Sequence, residues 1–214
     1  MKKFYAVLVL VFITTVAHAD SGEVRFLLSS FSPLSTDDNW DSAFGLDIEL
    51  VNWVSPALGF AAAIGAQQWN ARTVELMDYY PDSGTSVSAR LSGDATICPI
   101  GLSILLRPIK SRTAELTLEA GARYAMVNSN VSARYTIEDA AGTEYSQDLI
   151  HMDDGFYGLL GLDIAFPVSP YAKISLGGGY QFDISRGDAE FNDTNIGNTE
   201  FEASIVRIGF NARF

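Results

Sequence analysis

Apolar and polar residues alternate along eight separate stretches of the chain. In the last of them, from Ser204 to Phe214, the even positions are mostly apolar and the odd positions mostly polar. A period of two is typical of β-strands with one apolar face. The pattern predicts strands at 22–31, 43–54, 57–73, 95–107, 112–135, 154–167, 170–186 and 200–214. The chain is therefore predicted to be all-β.

The connections between these stretches alternate in length. The short connections, each with a proline, are 54–57, 107–112 and 167–170. The long, polar connections are 32–42, 74–94, 136–153 and 187–199. An outer-membrane barrel collects its short turns at one rim and its long loops at the other. The alternation therefore predicts an eight-stranded antiparallel up-and-down transmembrane β-barrel with four external loops.

The direction of the apolar faces is the main open question, because a shift of one residue exchanges the two faces of a strand. A soluble exported barrel with its apolar faces turned inward is the alternative. Aromatic residues on the apolar faces gather toward strand ends, with Phe166 and Phe214 near the short turns and Phe44, Phe156 and Phe182 near the long loops. Aromatic girdles at two interfaces favour the membrane barrel.

The first 19 residues have the features of a cleaved secretory signal peptide. Two lysines precede an apolar run from Phe4 to Ile13, and Ala17-His18-Ala19 fits a signal-peptidase site. The run is too short for a membrane-spanning helix. Residues 20–214 are predicted to form one outer-membrane domain, since later apolar runs are also too short for such a helix.

Charge and cysteine content narrow the class further. The formal net charge is −12, and it becomes −14 once the two lysines of the signal peptide are removed. Such an acidic chain is a poor partner for nucleic acid. The single cysteine, Cys98, cannot form an internal disulfide. Packing, hydrogen bonds or a membrane must therefore hold this exported chain together.

The signal peptide, the eight amphipathic stretches and the loop alternation resemble the small eight-stranded outer-membrane barrels, which include the OmpA transmembrane domain, OmpX and the opacity-type proteins. The last strand also resembles the assembly signal of that family, carried by Arg207, Gly209 and Phe214, although Ala212 stands where an aromatic is usual. The resemblance implies a bacterial outer-membrane location. It also implies outer-membrane lipid, lipopolysaccharide and the barrel-assembly machinery as partners.

An eight-stranded barrel has an interior just wide enough to be filled by side chains. The polar faces carry six acidic and five basic residues, and we expect them to pair, because an isolated buried charge costs several kcal/mol. A narrow ion path through these pairs is the alternative. The predicted lumen charge network consists of Arg25, Asp47, Glu49, Glu115, Glu119, Arg123, Asp163, Lys173, Asp183, Arg207 and Arg213.

Candidates for catalysis and metal binding are weak. His151, with Ser146 or Asp153, could serve in a lipid-modifying enzyme, but a solvated loop histidine is the simpler interpretation. The acidic loop that begins at Asp188 resembles a calcium-binding EF-hand loop, but Asp193 replaces the required glycine. The sequence therefore predicts no catalytic residue, no metal and no cofactor. The predicted role is structural or surface interaction through the external loops, with an extracellular ligand left unidentified.

Overall fold

The computed structural model describes residues 22–34, 40–80, 85–139, 142–191 and 194–214. The predicted signal peptide lies outside the described residues. In chain order the strands are β1 (Gly22–Pro33), β2 (Trp40–Trp53), β3 (Leu58–Ala71), β4 (Val74–Tyr80), β5 (Thr85–Ser92), β6 (Asp94–Lys110), β7 (Glu115–Ser129), β8 (Ser132–Asp139), β9 (Gly142–Leu149), β10 (His151–Met152), β11 (Gly155–Ser169), β12 (Ala172–Ser185), β13 (Asp188–Phe191), β14 (Thr194–Asn198) and β15 (Ala203–Arg213).

Eight of these strands close into an antiparallel barrel in the order β1-β15-β12-β11-β7-β6-β3-β2. The first and last strands pair with each other from Glu23 opposite Arg213 to Pro33 opposite Ala203. Each barrel strand therefore has a hydrogen-bonded neighbour on both sides, and the barrel itself has no free edge. The predicted eight-stranded barrel is confirmed. Among the described residues, no helix has the length and apolar character to cross a membrane.

Large apolar side chains cover the outside of the barrel. On β6, Leu102, Ile104 and Leu106 are each about half exposed, whereas Ser103 and Leu105 between them are buried. The same alternation runs along β11, where Leu160 and Leu162 are exposed. An outward apolar surface of this kind suits a lipid environment. The alternative in which the apolar faces form an internal core is therefore wrong.

The predicted aromatic girdles lie on the same outer surface. Phe44 and Phe156 are about half exposed near the ends of their strands that lead into the long connections. Phe166 and Phe214 are exposed at the opposite rim. Phe182 is half-buried, and its ring packs on Gly158, where any side chain would collide with the ring. Together with the aliphatic residues between them, these rings define the apolar belt.

The long connections differ from the polar loops that the sequence predicted. Strands β4, β5, β8 and β9 form one sheet beyond the barrel, and β10, β13 and β14 form another. The predicted fifth stretch, 112–135, consists of β7 and the beginning of β8. We call the two sheets together the cap. The sequence did not predict these strands because their partners lie in other connections: β5 pairs with β8, and β10 pairs with β13.

Two of the three short turns are displaced from their predicted positions. The turn at 54–57 is confirmed, but β6 continues to Lys110 and β11 to Ser169. The turn after β6 is closed by Ser111, whose hydroxyl accepts a hydrogen bond from the Ala114 amide at 3.0 Å and donates one to the Ala114 carbonyl at 2.8 Å. Arg107, which the sequence placed at the boundary between the fourth predicted strand and this turn, lies within β6.

Replacing Leu102 by arginine should show that the belt faces lipid. A cation near the middle of the apolar belt should cost about 2–4 kcal/mol of unfolding free energy. The matched change, Asn128→Arg, lies on the same outward face beyond the belt and should cost about 0–1 kcal/mol. The measurement is urea unfolding of the barrel in lipid vesicles. Equal, small effects of both substitutions would contradict the lipid-facing assignment.

Candidate functional site in the barrel lumen

The middle of the lumen is filled by two arginines and the carboxylates around them. Arg123 on β7 donates to Asp47 at 2.8 Å and to Glu49 at 3.0 Å, both on β2. Arg207 on β15 donates to Asp163 on β11 and to Glu119 on β7, at 2.8 and 2.7 Å. The side chains of all six groups are at most 6% exposed. Each guanidinium thus connects strands that are not neighbours in the barrel wall.

A second group of charges lies nearer the short turns. Lys173 is 2.9 Å from a carboxylate oxygen of Glu23 and 2.6 Å from one of Glu115. Glu115 also accepts hydrogen bonds from Arg107 at 3.0 Å and from Arg213 at 2.8 Å. Arg213 is the exposed member, since its side chain remains 35% accessible. The charges at this end of the lumen therefore share two carboxylates.

Arg25 joins the two groups. Its guanidinium is 3.1 Å from Glu23 in the group near the short turns and 3.7 Å from Glu49 in the group at the middle of the lumen. Trp53 lies under this junction, with the Arg107 guanidinium 3.8 Å from its ring centroid, a distance at which cation–π attraction contributes. The charged residues therefore form one continuous cluster, which we call the lumen ion cluster. In the described chain it has six acidic members, Glu23, Asp47, Glu49, Glu115, Glu119 and Asp163, and six basic members, Arg25, Arg107, Arg123, Lys173, Arg207 and Arg213.

Glycines on neighbouring strands provide the space that these carboxylates occupy. A methyl group at Gly65 would overlap the carboxylate of Asp47, and one at Gly177 would overlap that of Asp163. Both pairs are directly opposite in the register of adjacent strands. Because protein interiors are close-packed, the cluster depends on these glycines to leave room for its carboxylates.

The structure places Asp183 apart from the other predicted charges. Its carboxylate accepts a hydrogen bond from the Phe201 amide at 3.2 Å and lies 3.9 Å from Arg186, near the end of β12 that leads into the cap. Glu23 and Arg107 belong to the cluster but were missed. Glu23 is two residues before Arg25 on the same strand face, and Arg107 continues the inward positions of β6. Strand parity could have identified both residues.

Four aromatic side chains close the lumen above the ion cluster. Trp69 is completely buried, and its ring lies 5.7 Å from Phe31, 6.0 Å from Trp40 and 5.2 Å from Phe201. Trp69 donates to Gln67, and Trp40 donates to the Glu200 carbonyl. We call Phe31, Trp40, Trp69 and Phe201 the aromatic plug. Sequence parity could not show whether Trp53 and Trp69 face inward; both do.

The plug continues into the cap. Buried apolar residues of the connections pack in the same cluster as the plug, and they include Val131, Ala133, Ile150, Met152 and Ala189. Between the plug and the ion cluster lies a small cavity lined by polar groups such as Gln67, Tyr157 and Gln181. This cavity has room for roughly one water molecule. It is far smaller than a channel that conducts ions would need.

The remaining candidates from the sequence lie outside the lumen. His151 is exposed, 3.4 Å from a carboxylate oxygen of Asp153, and it pairs in register with Glu190. In the EF-hand-like segment, 188–191 form strand β13, while Asp193 falls outside the described residues. Among the described residues, no three His, Cys, Asp or Glu side chains are grouped to hold a metal ion.

The three residues of the predicted assembly signal have different surroundings. Arg207 belongs to the lumen ion cluster. Gly209 is opposite Leu27 in the closing pair of strands. Phe214 is 65% exposed at the short-turn rim, and its amide donates to the Gly22 carbonyl at 3.2 Å. The terminal ring therefore lies at the seam where the first and last strands meet.

Comparisons with known proteins support the fold. No protein-family model matches the chain, and no curated protein matches it in sequence. Among solved structures it is similar to the outer membrane protein OprG of Pseudomonas aeruginosa, with 12% identity over 92% of this chain and 96% of that one and a TM-score of 0.59. The fold is that of a small outer-membrane β-barrel. A major outer membrane protein of Thermus thermophilus is 13% identical over 90% of this chain and 99% of that one, with a TM-score of 0.49.

Replacing Arg123 by glutamine should test the ion cluster. The change leaves Asp47 and Glu49 buried with less compensation, so unfolding in urea should become easier by about 3–5 kcal/mol. The control is Arg72→Gln, because Arg72 forms an exposed ion pair with Asp41 at 3.5 Å, worth about 0–1 kcal/mol. A loss at Arg123 no larger than at Arg72 would mean that the lumen charges are well hydrated.

Proposed function

We propose that the protein is an integral outer-membrane barrel that supports membrane structure and surface interaction through its extracellular cap, without transport or catalysis. The observation that carries the proposal is the lumen, which the ion cluster and the aromatic plug fill while an ordered cap projects beyond the apolar belt. In this architecture we expect function to depend on the outer surface, because the barrel is a rigid scaffold that holds the binding groups of its connections in place.

Conduction through the barrel is the principal alternative, and the packing of the lumen argues against it. An ion that crosses the lumen must displace paired charges that are almost inaccessible to water, and breaking such a pair is strongly destabilising. It must also pass Trp69 and its three aromatic neighbours. The ion pairs therefore act as a filling of the barrel.

The protein reconstituted in planar bilayers should give no large, regular single-channel currents. The reason is the filled lumen, and the measurement is the step size in voltage-clamp recordings. A gel shift between unheated and boiled samples should first show that a closed barrel is present in the membrane fraction. Regular current steps from samples that show this shift would overturn the closed-lumen proposal. A protein confined to the soluble fraction would overturn the membrane location.

Catalysis at His151 finds little support in the geometry. His151 lies 3.4 Å from Asp153 and opposite Glu190, the side chains of His151 and Asp153 are more than half exposed, and among the described residues no hydrogen bond joins His151 to Ser146. Nucleophilic catalysis depends on a nucleophile and a base within hydrogen-bonding reach of each other. We therefore interpret His151 as a solvated residue of the cap.

The end of the chain supports a proposal about assembly. Phe214 is exposed next to the closing seam, so the assembly machinery could contact it before the barrel closes. This position fits the predicted assembly signal of Arg207, Gly209 and Phe214, preceded in the precursor by the predicted signal peptide at 1–19.

Deleting Phe214 should lower the amount of folded barrel in cells while leaving the folding of purified chain into detergent nearly unchanged. The reason is that the deletion removes the proposed recognition element but costs the folded barrel only an exposed ring and the one hydrogen bond from the Phe214 amide to the Gly22 carbonyl. The measurement is the fraction of chain that shows the gel shift in each setting. Phe210→Ala is the control, since Phe210 is also exposed on β15 but lies within the strand. Equal losses in cells and in detergent would show that Phe214 acts through stability.

A further inference from the structure

Basic side chains gather at the end of the barrel where the short turns lie. This short-turn rim comprises residues 22–23, 53–58, 107–115, 168–173 and 211–214. In these segments five side chains are basic and two are acidic, which gives a formal side-chain charge of +3 in a chain whose total is −12. The rim is therefore opposite in sign to the rest of the protein.

The two acidic residues of the rim are buried and already surrounded by cations. Glu115 accepts hydrogen bonds at 2.6, 3.0 and 2.8 Å from Lys173, Arg107 and Arg213. Glu23 accepts one from Lys173 at 2.9 Å. The side chains of both glutamates are at most 4% exposed. Neither carboxylate is therefore available to neutralise a cation at the surface of the rim.

Lys110 and Arg112 are the exposed cations of the turn between β6 and β7. In the part of the chain that the structure describes, no ion pair joins either of them to a carboxylate. Glu115 lies opposite Lys110 in the register of β6 and β7, but it is occupied by the three cations named above. Ser111 closes the turn through two hydrogen bonds to Ala114. The turn therefore holds two uncompensated cations on a backbone that hydrogen bonds fix in place.

Exposed apolar side chains at the rim place these cations at the surface of the bilayer. Ile109, next to Lys110, is 55% exposed, and Tyr171 in the turn between β11 and β12 is 73% exposed. The Tyr171 carbonyl accepts a hydrogen bond from the Arg213 amide at 2.8 Å, so this aromatic residue lies beside the partly exposed Arg213. Aromatic rings mark the interface between membrane and water, where lysine and arginine extend their charged ends toward the headgroups. The cations are therefore at the height of the lipid phosphates.

We propose that Lys110 and Arg112, assisted by Arg213, bind anionic phospholipids whose phosphate is not balanced by an amine in the headgroup. The inference rests on the proposed outer-membrane location, in which the short turns lie on the periplasmic side. A negatively charged leaflet attracts each basic residue near its surface. A free anion in water is repelled by the acidic chain, whereas a lipid phosphate is held in the plane of the membrane at a high effective concentration. The charge of the rim therefore favours a lipid as its ligand.

The test uses the full-length mature protein, purified in mild detergent, freed of lipid and titrated with phosphatidylglycerol or with phosphatidylcholine of the same acyl chains. Native mass spectrometry counts the bound lipids. The unmodified protein should bind phosphatidylglycerol about tenfold more tightly than phosphatidylcholine, and added salt should reduce this difference. The double variant K110Q/R112Q should bind phosphatidylglycerol about tenfold more weakly, while its affinity for phosphatidylcholine should change by less than about twofold.

Two matched variants separate the rim from general effects of charge. R72Q/R134Q removes two exposed cations at the opposite end of the barrel and should keep the affinity for phosphatidylglycerol within about twofold of the unmodified protein. K110R/R112K keeps both charges at the rim and should bind this lipid as the unmodified protein does. The gel shift between unheated and boiled samples reports whether each variant is folded.

Three results would overturn the inference. Equal affinity of the unmodified protein for the two lipids would do so even if a variant failed to fold. Unchanged binding of phosphatidylglycerol by a folded K110Q/R112Q would assign the lipid to another surface. Displacement of the lipid by an equal concentration of soluble glycerol phosphate or of acidic peptidoglycan fragments would identify a ligand outside the membrane. Fractionation and single-channel recordings test the membrane location and the closed lumen separately, so failure of the proposed function and failure of this inference are distinguishable.

Discussion

Pairing of opposite charges across the lumen is the constraint on which the rest of the structure depends. A closed barrel with apolar residues outside must place its polar residues inside, where an uncompensated charge costs several kcal/mol. Arg123 and Arg207 meet this requirement by reaching carboxylates on other strands. Their contacts hold only in one register, because a slip of one residue along any strand would turn its charges toward lipid. The same pairs therefore stabilise the interior and specify the alignment of the wall.

The aromatic plug extends this constraint beyond the membrane. Polar groups of the lumen end at Gln67 and Tyr157, which hydrogen-bond to each other at 3.1 Å, and apolar packing begins at Trp69. Residues of the cap complete that packing. The buried apolar residues of the cap therefore belong to the same core as the plug. This shared core stabilises the sheets that the long connections form. Closure of the lumen and order of the cap are two results of one packed cluster.

Sequence alone was sufficient for the parts of the fold governed by strict period-two patterns. The eight barrel strands were predictable because each alternates over ten or more residues, and the resemblance to small outer-membrane barrels pointed the same way. The cap was not, because strands as short as β10 and β13 depend on partners from distant connections. The fourth strand was predicted to end at Arg107 because Pro108 follows it, although the strand continues past that proline to Lys110. Turn residues such as Pro108 predicted the end of a strand incorrectly where pairing with neighbouring strands extends it.

The distribution of charge explains why the outer surface is the place to look for function. Six of the 26 acidic residues and six of the fourteen basic ones lie in the lumen ion cluster, so the cluster is formally neutral. The whole net charge of the protein therefore belongs to the regions outside it. Among the cations left there, Lys110 and Arg112 lie at a short turn, and Arg90 and Arg134 are opposite each other in the register of β5 and β8. The outer surfaces therefore carry the acidic net charge and determine how the protein meets charged partners.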